Sequence, residues 1–181
     1  MDRALVKTSK FLSLVLRHQP DSIGLNLNAN GWADIDELLH AAGQSGHKIT
    51  RQLLQRVVDE NDKRRFEISD DGTRIRASQG HSVDIDLELQ PCQPPDVLYH
   101  GTVQRFLEPI RQQGLIAGTR KHVHLSRDQQ TASVVGQRRG KPVILTIRSG
   151  DMHRDGFSFY ISANHVWLAD AVPVRYIEFP E

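Results

Sequence analysis

The sequence predicts an α+β chain built in two parts, helical first and strand-rich second. Three observations carry this reading. Apolar residues recur at helical spacing in three runs before residue 60, a proline-rich stretch interrupts the chain near residue 91, and the apolar residues beyond it gather in short β-type runs.

The first part, residues 1–90, opens with a helix of about 15 residues, in which Leu5, Leu12, Val15 and Leu16 form an apolar face and Pro20 enforces the end. "GWADIDELLHAAGQSG" predicts a second helix, with Asp34 as N-cap, Leu38 and Leu39 inward and glycines closing it. "ITRQLLQRVVDEN" predicts a third, capped by Thr50 and burying Leu53, Leu54, Val57 and Val58. "RRFEISDDGTRIRAS" then alternates across Asp71-Gly72, a strong hairpin signal. Three helices followed by a hairpin is the order of a winged helix domain.

"HSVDIDLELQPCQPPD" runs into three prolines, each of which holds itself and the residue before it extended, and residues 91–96 read as a linker. In residues 97–181, "DVLYHGT", "KHVHLS", "KPVILTIRS", "HVWLADAV" and "VRYIEF" are the expected strands. "VQRFLEPIRQQG" and "RDQQTASVVGQR" are the helical intervals. Strand and helix do not alternate regularly, and neither G-x-G-x-x-G nor G-x-x-x-x-G-K-[ST] occurs, so a Rossmann sheet and the usual nucleotide loops are not expected.

With 38% hydrophobic and 25% charged residues among 181, the composition is that of a globular chain. No apolar run reaches the roughly 18 to 20 residues of a membrane helix, and the N-terminus lacks the plan of a signal peptide, so a cytoplasmic protein without a membrane partner is expected. Cys92 alone can form neither an internal disulfide nor a cysteine-based zinc site. Residues 1–90 hold 12 Lys/Arg against 14 Asp/Glu and the rest 11 against 8, so any nucleic acid must be bound through local cationic clusters.

Arg17-His18 stands at a helix end, where a cation favours the helix dipole and an Arg fork beside an imidazole also suits a phosphate. Both readings are open at this point. Lys63, Arg64, Arg65, Arg74 and Arg76 gather five cations on one hairpin, either a solvated face or a nucleic-acid-binding wing. His100-Gly101-Thr102 ends a strand with imidazole, hydroxyl and a residue that permits close backbone approach. His122 and His124 alternate onto one strand face, but no third ligand stands at a supporting spacing and no metal is expected. Gly136, Arg138 and Arg139 form a helix-to-strand loop able to deliver an arginine to an anion.

Taken together, "TSKFLSLVLRHQP", "GWADIDELL", "NDKRRFEISDDGTRIRASQGHS", "LYHGT", "GLIAGTRKHVHLS", "VGQRRGKPVILT" and "HVWLADAVPVRYI" occur in the order and spacing of the RNA 2′-phosphotransferase family, which the chain resembles from Thr8 to Ile177. The resemblance implies a winged helix lobe followed by an ADP-ribosyltransferase-like mixed α/β lobe. It implies NAD⁺ as co-substrate, no metal, and a 2′-phosphorylated RNA, tRNA-like or oligonucleotide, as partner. It places the essential residues at Arg17, His18, Arg65 and Arg138, with His18 orienting the phosphate or moving a proton. NAD is assigned to His100, Gly101, Thr102, His124 and Ser126. Where protein-modifying relatives of that lobe carry a glutamate, "HVWL" offers Val166, which leans away from protein ADP-ribosylation. One departure is Arg139, in a loop that often reads Gly-x-Arg-His-Gly. Transfer of ADP-ribose to a terminal phosphate or a protein, and a non-enzymatic winged helix module, are the competing readings. A monomer is the expected state.

Overall fold

The computed structural model describes residues 2–180. The chain divides between Glu88 and Leu89 into two compact units.

In the first unit, helix α1 (Arg3–Arg17) starts where the Asp2 carboxylate accepts from the Ala4 amide, satisfying one of the helix's unpaired donors. Leu5, Phe11, Leu12, Val15 and Leu16 are buried along one face. The helix closes as the amides of His18 and Gln19 both donate to the Leu14 carbonyl, and Pro20 begins a separate 3-10 turn (Pro20–Ile23). Asp34 caps α2 (Ile35–Gln44) through the Glu37 amide, and Thr50 caps α3 (Arg51–Asp59) through the Leu53 amide. Leu38, Leu54 and Val57 are buried, while Leu39, Leu53 and Val58 pack half-buried around them.

A short strand β1 (Ala33–Asp34) pairs antiparallel with β3 (Arg74–Ala77), which pairs with β2 (Phe66–Ile68). The hairpin turns over Asp71, whose carboxylate accepts from the Ser69 hydroxyl and from the amide and hydroxyl of Thr73. These three bonds hold its acid at a pKa of about 2. After β3 the chain returns to α1: the amides of Ser82 and Val83 both donate to the Arg17 carbonyl, at 2.9 and 3.4 Å, and Ile85 is buried.

The proline-rich stretch is tied to the second unit. The Cys92 amide donates to Phe159 O and the Ser149 hydroxyl to Pro95 O. Strand β4 (Leu98–Val103) leads through a 3-10 turn into α4 (Leu107–Gln113) and β5 (Leu115–Ile116). Then follow β6 (Val123–Leu125), α5 (Gln129–Gln137), β7 (Pro142–Ile147), α6 (Ser149–Arg154), β8 (Tyr160–Ile161), β9 (Trp167–Ala169), β10 (Ala171–Val172) and β11 (Ile177–Glu178). All pairings are antiparallel, in the orders β11-β7-β4, β6-β9-β8 and β10-β5. Paired hydrogen bonds between Tyr99 and Ser126 join β4 to the end of β6.

Besides the two-residue strands β1, β5 and β8, which the sequence reading lacks, two further stretches differ from it. "VRYIEF" is a 3-10 turn (Val174–Tyr176) before it becomes β11, because the Tyr176 amide turns back to Pro173 O and its hydroxyl donates to Asp155. The six-residue α6 was not expected at all, being too short to show a helical period.

Candidate active site

Within the first unit the end of α1 meets the start of the hairpin. Arg17 Nη2 donates to the Arg65 carbonyl at 3.4 Å, and its guanidinium lies 6.0 Å from the centre of the Phe66 ring. Arg65 Nη1 donates to Asn61 Oδ1 at 3.4 Å, and Asn61 Nδ2 in turn donates to Ser9 of α1. The backbone takes a left-handed step at Arg64, with φ of 40°, fixed by bonds from the Arg64 amide to Asn61 O and from the Ser78 hydroxyl to Arg64 O. Non-glycine residues seldom adopt that conformation, and these bonds hold it. Arg17 thus leans on the backbone of Arg65, and His18 follows Arg17 in the chain. His18 is exposed, and its Nδ1 is 2.9 Å from Ser82 Oγ. The side chains of this helix end are therefore engaged by the hairpin and by Ser82, a use beyond the dipole reading.

The other four hairpin cations divide. Lys63 and Arg64 are exposed ahead of β2, and Arg74 is exposed on β3 with its guanidinium 5.6 Å from the Trp32 ring centre. Arg76 lies only 4.5 Å from the same ring and is ion-paired with Glu67 on the facing strand, so its charge is balanced within the sheet.

In the second unit, pairing of β4 to β6 sets His100 Nδ1 against the His124 carbonyl at 3.0 Å. Burial, and after it the positive charge of Arg139, hold the His100 imidazole below its ordinary 6.5, against the pull of that carbonyl. Thr102 is buried at 5% exposure, and Ser126 is half-buried beside Tyr99. Gly101 has a packing reason: a Cβ there would stand 1.7 Å from the Ala132 carbonyl, so its bareness admits the backbone of α5. His122 precedes β6 and faces Asp170 at 3.6 Å and the Tyr160 ring. Among the described residues no group of three His, Cys, Asp or Glu side chains is placed to hold a metal ion.

Arg138 and Arg139 follow α5 and are exposed. Arg139 shares the Phe106 ring with Arg105, at 5.7 and 5.0 Å. The structure adds Arg120, which the sequence reading passed over: its Nη1 is 3.3 Å from His124 Nδ1. Partial desolvation, and then the charges of Arg139 and Arg138, lower the pKa of Arg120 from its usual value. Three guanidiniums near two imidazoles concentrate positive charge here.

Residues 3–171 match the family described as "RNA 2′-phosphotransferase, Tpt1 / KptA family". The chain belongs to the RNA 2′-phosphotransferase family. A protein of Flavobacterium johnsoniae is 56% identical over 171 residues, 94% of each chain. One of Rhodopirellula baltica is 57% identical over 180 residues, 99% of this chain and 98% of its own. One of Streptomyces griseus is 52% identical over 183 aligned positions, 97% of each. All three bear the name "Probable RNA 2′-phosphotransferase". In this phosphotransferase family member the signal for Arg120 was present in "RKHVHLS", a cation two residues before a pair of alternating histidines.

Proposed function

We propose that this chain removes an internal 2′-phosphate from RNA with NAD⁺ as acceptor, in two steps and without a metal. The 2′-phosphate attacks the anomeric carbon of the nicotinamide ribose, and nicotinamide leaves with the bonding pair. The ribose 2″-hydroxyl then attacks phosphorus, giving RNA with a 2′-hydroxyl and ADP-ribose 1″,2″-cyclic phosphate. The observation that supports this reading is the contact of Arg17, with His18 next to it in the chain, with the backbone of Arg65 in the first unit of a chain of this family.

The residue types suit the chemistry. A phosphomonoester carries about −1.5 to −2 charge at pH 7, and planar guanidinium forks bind its oxygens in charge-assisted pairs. Held so, the phosphate is oriented for attack, and the charge that develops on phosphorus in the second step is stabilised. His18 orients the phosphate or moves the proton of the attacking hydroxyl. In the second unit, His100, Thr102, His124 and Ser126 form the NAD side, with Gly101 letting α5 pack behind them. Arg138 keeps the essential role that the family resemblance gives it, and Arg120 and Arg139 supply positive charge for a ligand that carries a pyrophosphate. No general base is needed in the first step, because the phosphate is already anionic. Val166, in place of an acid, is consistent with that.

The order α1, α2, α3 and then the β2–β3 hairpin supports a winged helix reading of the first unit, with Lys63, Arg64 and Arg74 as cations for flanking RNA phosphates. Arg76 serves the hairpin itself. The mixed, antiparallel second unit is read as an ADP-ribosyltransferase-like lobe. The test is a product assay on a defined 2′-phosphorylated oligonucleotide, with and without NAD⁺ and in the presence of a chelator. Expected are 2′-hydroxyl RNA, free nicotinamide and the cyclic phosphate, all dependent on NAD⁺. A phosphate left intact, or an ADP-ribosylated adduct that accumulates as the final product, would refute the reading.

A further inference from the structure

We infer that Ser82 is a positioning residue that holds the His18 imidazole in its working orientation. The inference rests on the reading of His18 given above and adds a residue to it. His18 is exposed at the C-terminus of α1, where an imidazole turns about two rotatable bonds and a fixed partner narrows the orientations it takes. Its Nδ1 is 2.9 Å from Ser82 Oγ.

An exposed hydrogen bond between two mobile side chains contributes little, because water competes for both partners. This one differs because Ser82 is set in place by its backbone. Its amide donates to the carbonyl of Arg17 at 2.9 Å, and the Val83 amide donates to the same oxygen at 3.4 Å. On either side of the segment His81 and Ile85 are buried, at 4% and 5% exposure. The chain at Ser82 is therefore fastened to one member of the Arg17-His18 pair by main chain and reaches the other by its hydroxyl. Little backbone entropy at Ser82 is left to lose when the bond to His18 forms.

The chemistry of the partner matters as much as its position. A carboxylate on Nδ1 would demand a proton there and favour the imidazolium. A hydroxyl can accept from a protonated Nδ1 or donate to a bare one. Ser82 thus keeps the ring oriented in either protonation state, which suits a histidine that must orient an anion or pass a proton. Its role is carried through His18, so it is not a catalytic residue.

The test compares Ser82→Ala, Ser82→Thr, His18→Ala and the double variant Ser82→Ala/His18→Ala, following nicotinamide release and appearance of 2′-hydroxyl RNA separately. Ser82→Ala is expected to slow by about tenfold the same step that His18→Ala slows, a size typical of residues that orient a functional side chain. Ser82→Thr, which keeps the hydroxyl, stays within about twofold of wild type, and the double variant is no slower than His18→Ala. In parallel, the ¹⁵N resonances of the His18 ring are read without substrate: they move in Ser82→Ala and hold in Ser82→Thr. Unchanged ring resonances in Ser82→Ala, or a loss that adds to that of His18→Ala, would overturn the inference. His18→Ala with both steps at wild-type rate would instead refute the assignment of His18, while the ring resonances still decide whether Ser82 holds it.

Discussion

In the first unit Arg17 donates to a backbone carbonyl and Arg65 to a side-chain amide oxygen, and these neutral oxygens help to aim them. In the second unit Arg120, Arg138 and Arg139 lie near enough to lower the pKa of Arg120 through their charge, and no acidic partner accompanies them among the described residues. Arg76, paired with Glu67 and covered by Trp32, shows what an arginine with a structural task looks like in the same molecule. The contrast separates two ways of preparing a cation for an anionic ligand. A guanidinium braced by a neutral oxygen keeps its full charge and gains a direction. A crowded one, even where it touches a neighbour as Arg120 does His124, is relieved of repulsion when an anion arrives.

The sharpest way to break this comparison is to keep the charge and remove the fork. Arg17→Lys and Arg65→Lys are expected to lower turnover by about 1,000-fold, nearly as much as alanine, since direction is what those sites supply. Arg138→Lys, in the crowded cluster, is expected to cost only a few-fold, with the larger loss in Arg138→Ala. Equal rescue by lysine in both units would show that the first site also works by charge alone.

The next effect concerns stability. Gly101→Ala presses a Cβ onto the Ala132 carbonyl and is expected to destabilise the second unit by about 3 kcal/mol, read from the urea midpoint. In the first unit Gly24→Ala meets open space at φ of 66°, so only backbone strain of about 1 kcal/mol is expected. Similar losses at the two positions would contradict the packing role given to Gly101.

A smaller effect is the titration of His100. Its folded pKa is depressed, so the fold resists a proton that the unfolded chain accepts near the ordinary value of 6.5. Stability is therefore unaffected above that pH and falls as pH drops from there toward the folded midpoint. An NMR titration should place the His100 midpoint below 6.5, and Arg139→Ala should move it upward. Smallest is Asp71, exposed at the hairpin turn. The turn's three bonds to its carboxylate persist above the ordinary 3.8 and are lost as pH falls through about 2. Asp71→Asn is expected to shift hairpin resonances with little change in the global midpoint.

The three helices of the first unit were legible because their signals are local. Asp34 and Thr50 cap the helices that their side-chain chemistry marks, and Pro20 stops α1 where its missing amide requires. Strands β1, β5 and β8, two residues each, have no period to read and exist only because a distant partner supplies their ladder. Ala33, for example, pairs with Ile75. The site shows the same division. Arg17 and His18 stand out as two cationic-capable residues ending a helix, whereas the sequence marks Arg120 only as a cation before two histidines, and its place near His124, Arg138 and Arg139 is tertiary.

The sequence alone was enough for the helix ends of the first unit, the hairpin turn, the kinds of side chain available to a phosphate and, through its ordered motifs, the family. These rest on capping, turn geometry and side-chain chemistry, which act within a few residues. Only the tertiary structure decided that Arg17 leans on the carbonyl of Arg65, 48 positions away, that Ser82 meets His18 across 64, and that Gly101 serves α5. Contacts at such separations are selected by burial and by the pairing of backbone groups across the whole unit, and no local pattern encodes them.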